Sequence, residues 1–190
     1  MAIVLDAQKL TAQAFARFGF VVDYANGLSD RAKMTNGNTA IRLDHLGHLN
    51  QCQRPQGSPA ELNICLFRSK SQGKQTDVGA VRVNISMLEK HPYSGQIFIP
   101  MHNSSSCLGS LIVVASSLPN GSINQADLCA FYARADQAVE YAPGIWHHPL
   151  ISLSCRDFVC GVWENGVAEQ DCITQAIIPC TIQISSQLLP

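Results

Sequence analysis

The chain has 190 residues and a formal net charge of −1, from 13 lysines and arginines against 14 aspartates and glutamates. Hydrophobic residues make up 46% and charged residues 14%, which indicates a globular protein with a sizeable core and excludes a disordered chain. The length predicts a single domain over residues 1–190. Because there is no basic excess, we expect no nucleic-acid partner.

The sequence also predicts a cytoplasmic protein with no membrane partner. Its apolar runs are too short to span a bilayer, and the first residues lack the basic start and long apolar stretch of a signal peptide. Without an export signal, a disulfide framework is not expected. We therefore predict that most of the cysteines are small buried hydrophobic residues. They are Cys52, Cys65, Cys107, Cys129, Cys155, Cys160, Cys172 and Cys180.

Near the start, residues 11–18 have the pattern of a short helix, with Thr11 as its N-cap and Gly19 ending it. Its apolar face would be formed by Ala14, Phe15 and Phe18. A second helical pattern covers 125–132. Alternating or β-branched runs predict strands at 61–68, 78–85, 95–101, 110–117, 138–142, 150–154, 157–163 and 180–185. The polar stretches 54–60 and 68–77 are predicted to be surface loops. Many short strands with little helix indicate an all-β sandwich or barrel.

Histidines are the first candidates for a chemical role. His45 and His48 flank a glycine and are typical of a solvated loop pair, whereas His91 stands alone before a proline. His147 and His148 are adjacent, so on a strand their side chains would point to opposite faces. A metal-binding cupin would show an HxH motif followed by a glutamate, and none occurs. The sequence therefore predicts no metal ligand set.

Other catalytic signatures are missing from the sequence. It has no GxSxG elbow, no glycine-rich phosphate loop and no GxGxxG motif, so acyl-enzyme hydrolases, kinases and dinucleotide enzymes are disfavoured. A β-rich pocket with basic and neutral hydrogen-bonding groups remains. Arg68 closes a predicted strand and Arg42 follows the segment NGNTAI. A guanidinium at a strand end can grip a carboxylate with two hydrogen bonds. A surface ion pair is the alternative for each arginine.

Two segments resemble a known family. LEKHPYSGQIFIPM at 88–101 and AVEYAPGIWHHPL at 138–150 are similar to the two signature stretches of ureidoglycolate lyases. Further similarities lie at 14–22, at 35–42, at Phe67 and Arg68, and at residues 157–158, so that the resemblance covers nearly the whole chain. The segment after residue 158 and the tail from Ile173 depart from the compact bacterial pattern.

The resemblance implies a cupin-like β-barrel, or double-stranded β-helix, with a few short helices, and a homodimer. It implies cleavage of (S)-ureidoglycolate to glyoxylate and urea in allantoin degradation, part of purine metabolism. No cofactor is required for such an elimination, and the resemblance allows stimulation by a divalent metal. The alternatives are a metal-dependent cupin enzyme and a non-catalytic cupin-like protein that binds a ureide or a sugar.

The expected chemistry assigns roles to particular residues. His91 and His147 are the acid–base candidates, since a neutral imidazole exchanges protons near neutral pH. Arg68 is the first candidate for the carboxylate clamp, and Arg42 is the second. The ureide offers both donors and a carbonyl acceptor, which amide and hydroxyl side chains can recognise. The candidates for that role are Asn36, Gln96 and Tyr141. Trp146 either closes the pocket or anchors its strand in the core.

Overall fold

The computed structural model describes residues 3–23, 32–55, 57–101 and 107–190. Both α-helices in these residues have a single turn: α1 at Ala12–Phe15 and α2 at Ala168–Asp171. The strands are β1 Ile3–Asp6, β2 Gln8–Lys9, β3 Gly19–Asp23, β4 Lys33–Thr35, β5 Ala40–Arg42, β6 Glu61–Ser69, β7 Lys74–Gln75, β8 Val81–Lys90, β9 Gln96–Pro100, β10 Ser110–Ala115, β11 Cys129–Ala133, β12 Gln137–Tyr141, β13 Trp146–His147, β14 Ile151–Ser152, β15 Arg156–Glu164 and β16 Ile173–Ile184.

Two sheets carry the fold. Within the described residues, nine strands form the larger sheet, in the order β1-β16-β8-β13-β10-β11-β2, with β14 also paired to β10 and β7 to β8. Five strands form the smaller sheet, in the order β3-β12-β9-β15-β6, and β4 and β5 make a separate hairpin. Among the described strands, only the pairs β1–β16 and β2–β11 are parallel. The prediction of a mostly β, cupin-like barrel is confirmed.

Strand β10 lies in the middle of the protein and is buried on both faces. Its residues Leu111 and Val113 belong to one core cluster, in which β8 and β16 take part. Ile112 and Val114 belong to a second cluster, which packs against Phe98 and other residues of the smaller sheet. This double burial explains why residues 110–115 form a continuous apolar run without alternation.

The segment 125–132 is not helical, and this prediction is wrong. A 3₁₀ turn at Gln125–Asp127 is followed directly by β11, which pairs along its whole length with β10. The apolar spacing of this segment suits a helix as well as a strand that is buried on both faces. The hydrogen bonds and packing with β10 stabilise the strand over the helix, because tertiary contacts often override local propensity.

The helix predicted at 11–18 exists as one turn. Thr11 caps it, because its hydroxyl oxygen accepts a hydrogen bond from the Ala14 backbone N–H at 3.1 Å. Phe15 and Phe18 are buried as predicted, but Ala14 is exposed. Gly19 begins β3 instead of capping the helix. A Cβ atom there would lie 1.9 Å from the Glu140 carbonyl oxygen, so close pairing with β12 requires glycine.

Other strand predictions are confirmed with different bounds. The run 150–154 contains only the two residues of β14, 180–185 is the end of the longer β16, and the polar stretch 68–77 includes β7. The strands of the first 42 residues were not predicted. The prediction that most cysteines are buried is wrong, since only Cys160 and Cys180 are buried. All eight cysteines are free thiols. No helix in the described ranges is long and apolar enough to cross a membrane.

Strand β6 exposes apolar side chains to solvent. Leu62, Ile64 and Leu66 alternate as predicted, yet they are 44%, 62% and 58% exposed. Strand β6 is the last strand of the smaller sheet, and its opposite face carries Phe67, whose ring meets that of Phe98 at 5.3 Å between centroids. The pattern thus gives the period of the strand but not the face that the core covers.

A carboxylic acid is buried on β12. Glu140 is only 2% exposed, and its Oε1 atom has no hydrogen-bond partner among the described residues. Burial raises the pKa of Glu140 from 4.5 to about 7, against the opposing effect of a hydrogen bond from the Phe20 backbone N–H. The ionised form is therefore unfavourable in the folded protein relative to the unfolded one.

We expect Glu140 to make the protein less stable as pH rises. Below about pH 4.5 Glu140 is protonated in both the folded and the unfolded protein. Between that pH and about 7 it ionises only in the unfolded protein, so the free energy of unfolding falls until the folded state ionises as well. Glu140→Gln removes this penalty, so the melting temperature of the variant relative to wild type should increase from pH 5 to pH 8. Thermal melts at a series of pH values measure this. A difference that does not vary with pH would contradict the assignment.

Candidate functional site

Four polar side chains converge where the two sheets meet. His147 on β13 is the direct cross-strand partner of Glu89 on β8, so both side chains share one face. His91 follows two residues after Glu89 and lies beside it, while Gln96 begins β9 and reaches His147. We call Glu89, His91, Gln96 and His147 the histidine cluster. The structure thus brings together three of the predicted site residues and adds Glu89.

The His91 ring is held by a backbone carbonyl. Its Nδ1 lies 2.6 Å from the carbonyl oxygen of Asp171, which only accepts hydrogen bonds, so Nδ1 carries the proton. In the neutral ring, Nε2 is then unprotonated and its lone pair can accept a hydrogen bond. This atom is buried and has no hydrogen-bond partner in the described part of the chain. Burial, and after it the neighbouring His147, lower the pKa of His91.

His147 is oriented in the same way. Its Nδ1 lies 3.0 Å from the Ile145 carbonyl oxygen, and its Nε2 lies 3.1 Å from Gln96 Oε1 and 3.6 Å from Glu89 Oε1. The side chain is 1% exposed. Tyr141 stacks on the imidazole with 4.1 Å between ring centroids and 8° between planes. The ring of His147 is therefore fixed on both its edge and its face.

The neighbours of Gln96 settle the orientation of its amide. Burial raises the pKa of the Cys160 thiol, while a hydrogen bond with Gln96 acts in the opposite direction. The Gln96 amide oxygen faces His147, with Oε1 at 3.1 Å from Nε2. The cluster therefore presents four acceptors to one small region: two imidazole nitrogens, a carboxylate and an amide oxygen.

Glu89 lies at the outer side of the cluster. Its side chain is 19% exposed, and Cys172 Sγ lies 3.9 Å from its Oε2. Burial favours its neutral form, but the hydrogen bond and charge of His147 outweigh this effect, so that the pKa of Glu89 is lowered. A second carboxylate, that of Glu164, acts electrostatically on His91 and opposes the lowering of its pKa. The site is thus rich in acceptors and negative charge.

A buried arginine supports the carbonyl that holds His91. The Arg54 side chain is 7% exposed and pairs with the Asp171 carboxylate at 2.9 Å. It also donates to the carbonyl oxygens of Gln170 at 3.0 Å and Trp163 at 2.6 Å. These bonds fix the segment 163–171, whose last carbonyl oxygen accepts the hydrogen bond from His91 Nδ1–H. Sequence reasoning missed Arg54, because nothing in the loop 54–60 marks it as buried.

Sequence reasoning also missed Glu89, although a signal was present. Glu89 and His91 have the i, i+2 spacing of the HxH motif that we looked for, with a carboxylate in place of the first imidazole. Together with His147 they place three ligand atoms within 4.8 Å of one another. Two imidazole nitrogens and a carboxylate oxygen fit a divalent transition metal. The expectation that no metal ligand set exists therefore has to be reconsidered.

Arg68 does not reach this cluster within one chain. It lies opposite Asp157 and makes two 3.1 Å hydrogen bonds to that carboxylate, with its own side chain 81% exposed. Asp157 points away from the face on which Phe158 enters the core. Gln96 pairs with Val162, five residues further along β15, which is roughly 17 Å at the usual rise of a strand. The alternative of a surface ion pair describes this arginine better.

Three other candidates also lie apart from the cluster. Arg42 is paired with Asp44 at 2.5 Å and is 68% exposed. Asn36, with φ of +52°, forms the turn between β4 and β5 and is exposed. Trp146 points to the opposite side of β13 from His147 and packs in the core beneath Lys90, 4.4 Å from its ring centre. Tyr141 lies at the cluster, as described above.

Comparisons with known proteins identify the family that the chain resembles. The chain matches the family model described as ureidoglycolate lyase over residues 2–184. It is 35% identical over 176 residues to the ureidoglycolate lyase of Schizosaccharomyces pombe, with 90% of each chain covered. It is 34% identical over 170 residues to that of Burkholderia cepacia, with 89% of this chain and 84% of the relative covered. A Brucella abortus protein of the same name is 32% identical over 156 residues, with 82% and 80% covered.

Two arginine variants should separate the buried ion pair from the exposed one. We expect Arg54→Ala to destabilise the protein by about 3–5 kcal/mol, because it leaves the Asp171 carboxylate and two carbonyls without their donor. Arg68→Ala should change the melting temperature by no more than about a degree or two, because its pair is exposed to solvent. Thermal and urea unfolding measure both. Equal losses of stability in the two variants would show that the buried Arg54 ion pair stabilises the fold no more than the exposed one.

Proposed function

The chain belongs to the ureidoglycolate lyase family and is a lyase, and we propose that it cleaves (S)-ureidoglycolate to glyoxylate and urea in allantoin degradation. The observation that carries the proposal is the histidine cluster, in which two oriented imidazole lone pairs and a carboxylate face one point. Such a group can accept, hold and return a proton in a water-poor site.

The substrate requires only proton transfers. Ureidoglycolate has one carbon that carries a carboxylate, a hydroxyl and the ureido nitrogen. A base removes the hydroxyl proton, the carbon–oxygen bond becomes the carbonyl of glyoxylate, and the carbon–nitrogen bond breaks with its electron pair on nitrogen. The nitrogen then takes up a proton to give urea. We therefore propose that no redox or organic cofactor takes part.

We propose that His147 is the group that moves this proton. Its Nδ1–H is held by the Ile145 carbonyl, so Nε2 is free to accept the hydroxyl proton. Glu89, 3.6 Å away, stabilises the imidazolium that forms. The same Nε2–H can then be delivered to the departing nitrogen, which returns His147 to its neutral form and balances the reaction.

The other residues of the site would bind and orient the ureide. The lone pair at His91 Nε2 is suited to accept an N–H of the ureido group, and Gln96 Oε1 offers a second acceptor. Tyr141 keeps the His147 ring in place by stacking. Arg68, Arg42, Asn36 and Trp146 lie elsewhere in the chain, so our assignment of substrate contacts does not include them.

We also propose that the enzyme is a cytoplasmic homodimer. The family resemblance motivates the dimer, and the outer face of β6 supports it. Leu62, Ile64 and Leu66 expose apolar surface side by side on an edge strand, and such surfaces commonly mark contacts between proteins. A non-catalytic ureide-binding protein is the competing function, and it differs in giving no turnover.

The decisive assay follows glyoxylate, urea and ammonia from racemic ureidoglycolate. We expect glyoxylate and urea without ammonia, because the cluster offers proton transfer at the hydroxyl and not hydrolysis of the ureide. His147→Asn should lower kcat about 10²–10⁴-fold, the usual contribution of an acid–base group. Release of ammonia would indicate an amidohydrolase, and absence of turnover would favour the binding protein.

Arg68→Ala is the matched control for this assay. Because Arg68 lies outside the cluster, the variant should retain more than half of wild-type kcat/KM, and light scattering checks that this residue of the proposed dimer face leaves the oligomeric state unchanged. Thermal melts of both variants exclude misfolding as the cause of a loss. A large loss in Arg68→Ala with an unchanged melting temperature would restore this arginine as the carboxylate clamp.

The oligomeric state has its own test. Light scattering at micromolar concentration should give about twice the 20.6 kDa mass of the chain. Ile64→Lys places a charge in the exposed apolar strip and should shift the protein toward the monomer. A wild-type monomer would contradict the dimer, while a dimer that is unaffected by Ile64→Lys would place the interface on another surface.

A further inference from the structure

We propose that Cys65 and Cys160 are a redox-sensitive pair that forms a reversible disulfide across the smaller sheet, beside Gln96 of the histidine cluster. The two cysteines are direct partners in the register of the antiparallel strands β6 and β15. Side chains of such partners lie on the same face of a sheet. Both thiols face the core, since Cys160 is buried in it and Cys65 packs against it. No other strand pair in the described residues sets two cysteines opposite each other.

The separation of the two residues suits a disulfide. Residues directly opposite each other in antiparallel strands have Cα atoms about 4.5–5.5 Å apart, which lies within the range of about 4.4–6.8 Å that disulfides span. The thiols are already in contact, because a hydrogen bond joins the side chains of Cys65 and Cys160. An S–S bond between them therefore requires rotation of side chains and no movement of the strands.

The reaction needs an oxidant, and a low-molecular-weight disulfide such as glutathione disulfide supplies the oxidising equivalents. Cys65 is half-buried on the edge strand of the sheet, so it meets the oxidant first, whereas Cys160 is buried. The Cys65 thiolate attacks the oxidant, breaks its S–S bond and releases one glutathione, which takes up a proton. Cys160 then loses its proton and displaces the second glutathione, so that two thiols are oxidised and one disulfide is reduced. Burial raises the pKa of the Cys160 thiol, and this second step is therefore the slower one.

The disulfide would change the surroundings of Gln96. The Cys160 thiol shares a hydrogen bond with the Gln96 side chain, whose Oε1 lies 3.1 Å from His147 Nε2. A disulfide has no S–H group, and its formation draws Cys160 Sγ toward β6. Both changes alter the contact with Gln96, and through it the oxygen that faces His147. A resulting loss of turnover rests on the function proposed above, whereas the disulfide itself does not.

The test maps disulfides in the full-length protein without substrate. The protein is incubated with mixtures of reduced and oxidised glutathione, its remaining thiols are alkylated, and it is digested with trypsin and a glutamyl endopeptidase. Cleavage at the flanking arginines and glutamates isolates Cys65 in the peptide 62–68 and Cys160 in the peptide 157–164. Mass spectrometry should find these two peptides joined after oxidation and separate after treatment with dithiothreitol. If they stay separate under conditions that glutathionylate the exposed Cys155, the proposal is wrong.

Two serine variants and one spectroscopic signal complete the test. Cys65→Ser should leave Cys160 as a free thiol after oxidation, and a Cys160 that instead pairs with another cysteine would contradict the proposed partner. Cys155→Ser is the matched control, since it removes an exposed thiol near Cys160 in the chain and should leave the joined peptide unchanged. Circular dichroism and melting temperature verify folding.

The connection to the cluster is measured by nitrogen-15 NMR of the side-chain amide of Gln96. Its signals should shift when the wild-type protein is oxidised and return when it is reduced, and they should not shift in Cys65→Ser. Unshifted signals in the fully linked protein would overturn the connection between the cysteine pair and the cluster. Both measurements are made without substrate, so their failure is distinct from a failure of the lyase activity.

Discussion

Two backbone carbonyls determine what the site can do. The carbonyl oxygen of Asp171 accepts a hydrogen bond from Nδ1–H of His91, and that of Ile145 accepts one from Nδ1–H of His147. Each bond fixes the tautomer and the direction of a ring, so that both Nε2 lone pairs point to the same place. The proton transfer that we propose depends on these two bonds. A change in either carbonyl would turn a lone pair away from the substrate.

The fold keeps the two carbonyls in position by different means. Ile145 directly precedes β13, which is held between β8 and β10 in the larger sheet, and the position of its carbonyl follows from strand pairing. Asp171 ends α2, a single turn that strand pairing does not fix. The buried Arg54 holds this turn in place through its ion pair with Asp171 and its hydrogen bonds to the surrounding carbonyls. A loop arginine far from the cluster in sequence thereby acts on His91.

The electrostatics of the cluster are unusual for a site with an anionic substrate. Glu89 and Glu164 make it negative, and the arginines predicted to bind the carboxylate are paired with aspartates at the surface. Within the cluster, a proton on His147 Nε2 is the positive charge that would face the substrate carboxylate.

The sequence by itself determined the β-rich class, the family and the two histidines, because strand alternation and the local HP and WHHP segments can be read without knowledge of the fold. It did not determine which face of each strand is buried. Leu66 and Arg68 fit a pocket-facing strand equally well, and only the position of β6 at the sheet edge placed them outside. Glu89 became a site residue through its pairing with His147, a contact between residues 58 positions apart. The tertiary structure alone decided these points, since alternation has two solutions and packing against other strands selects one.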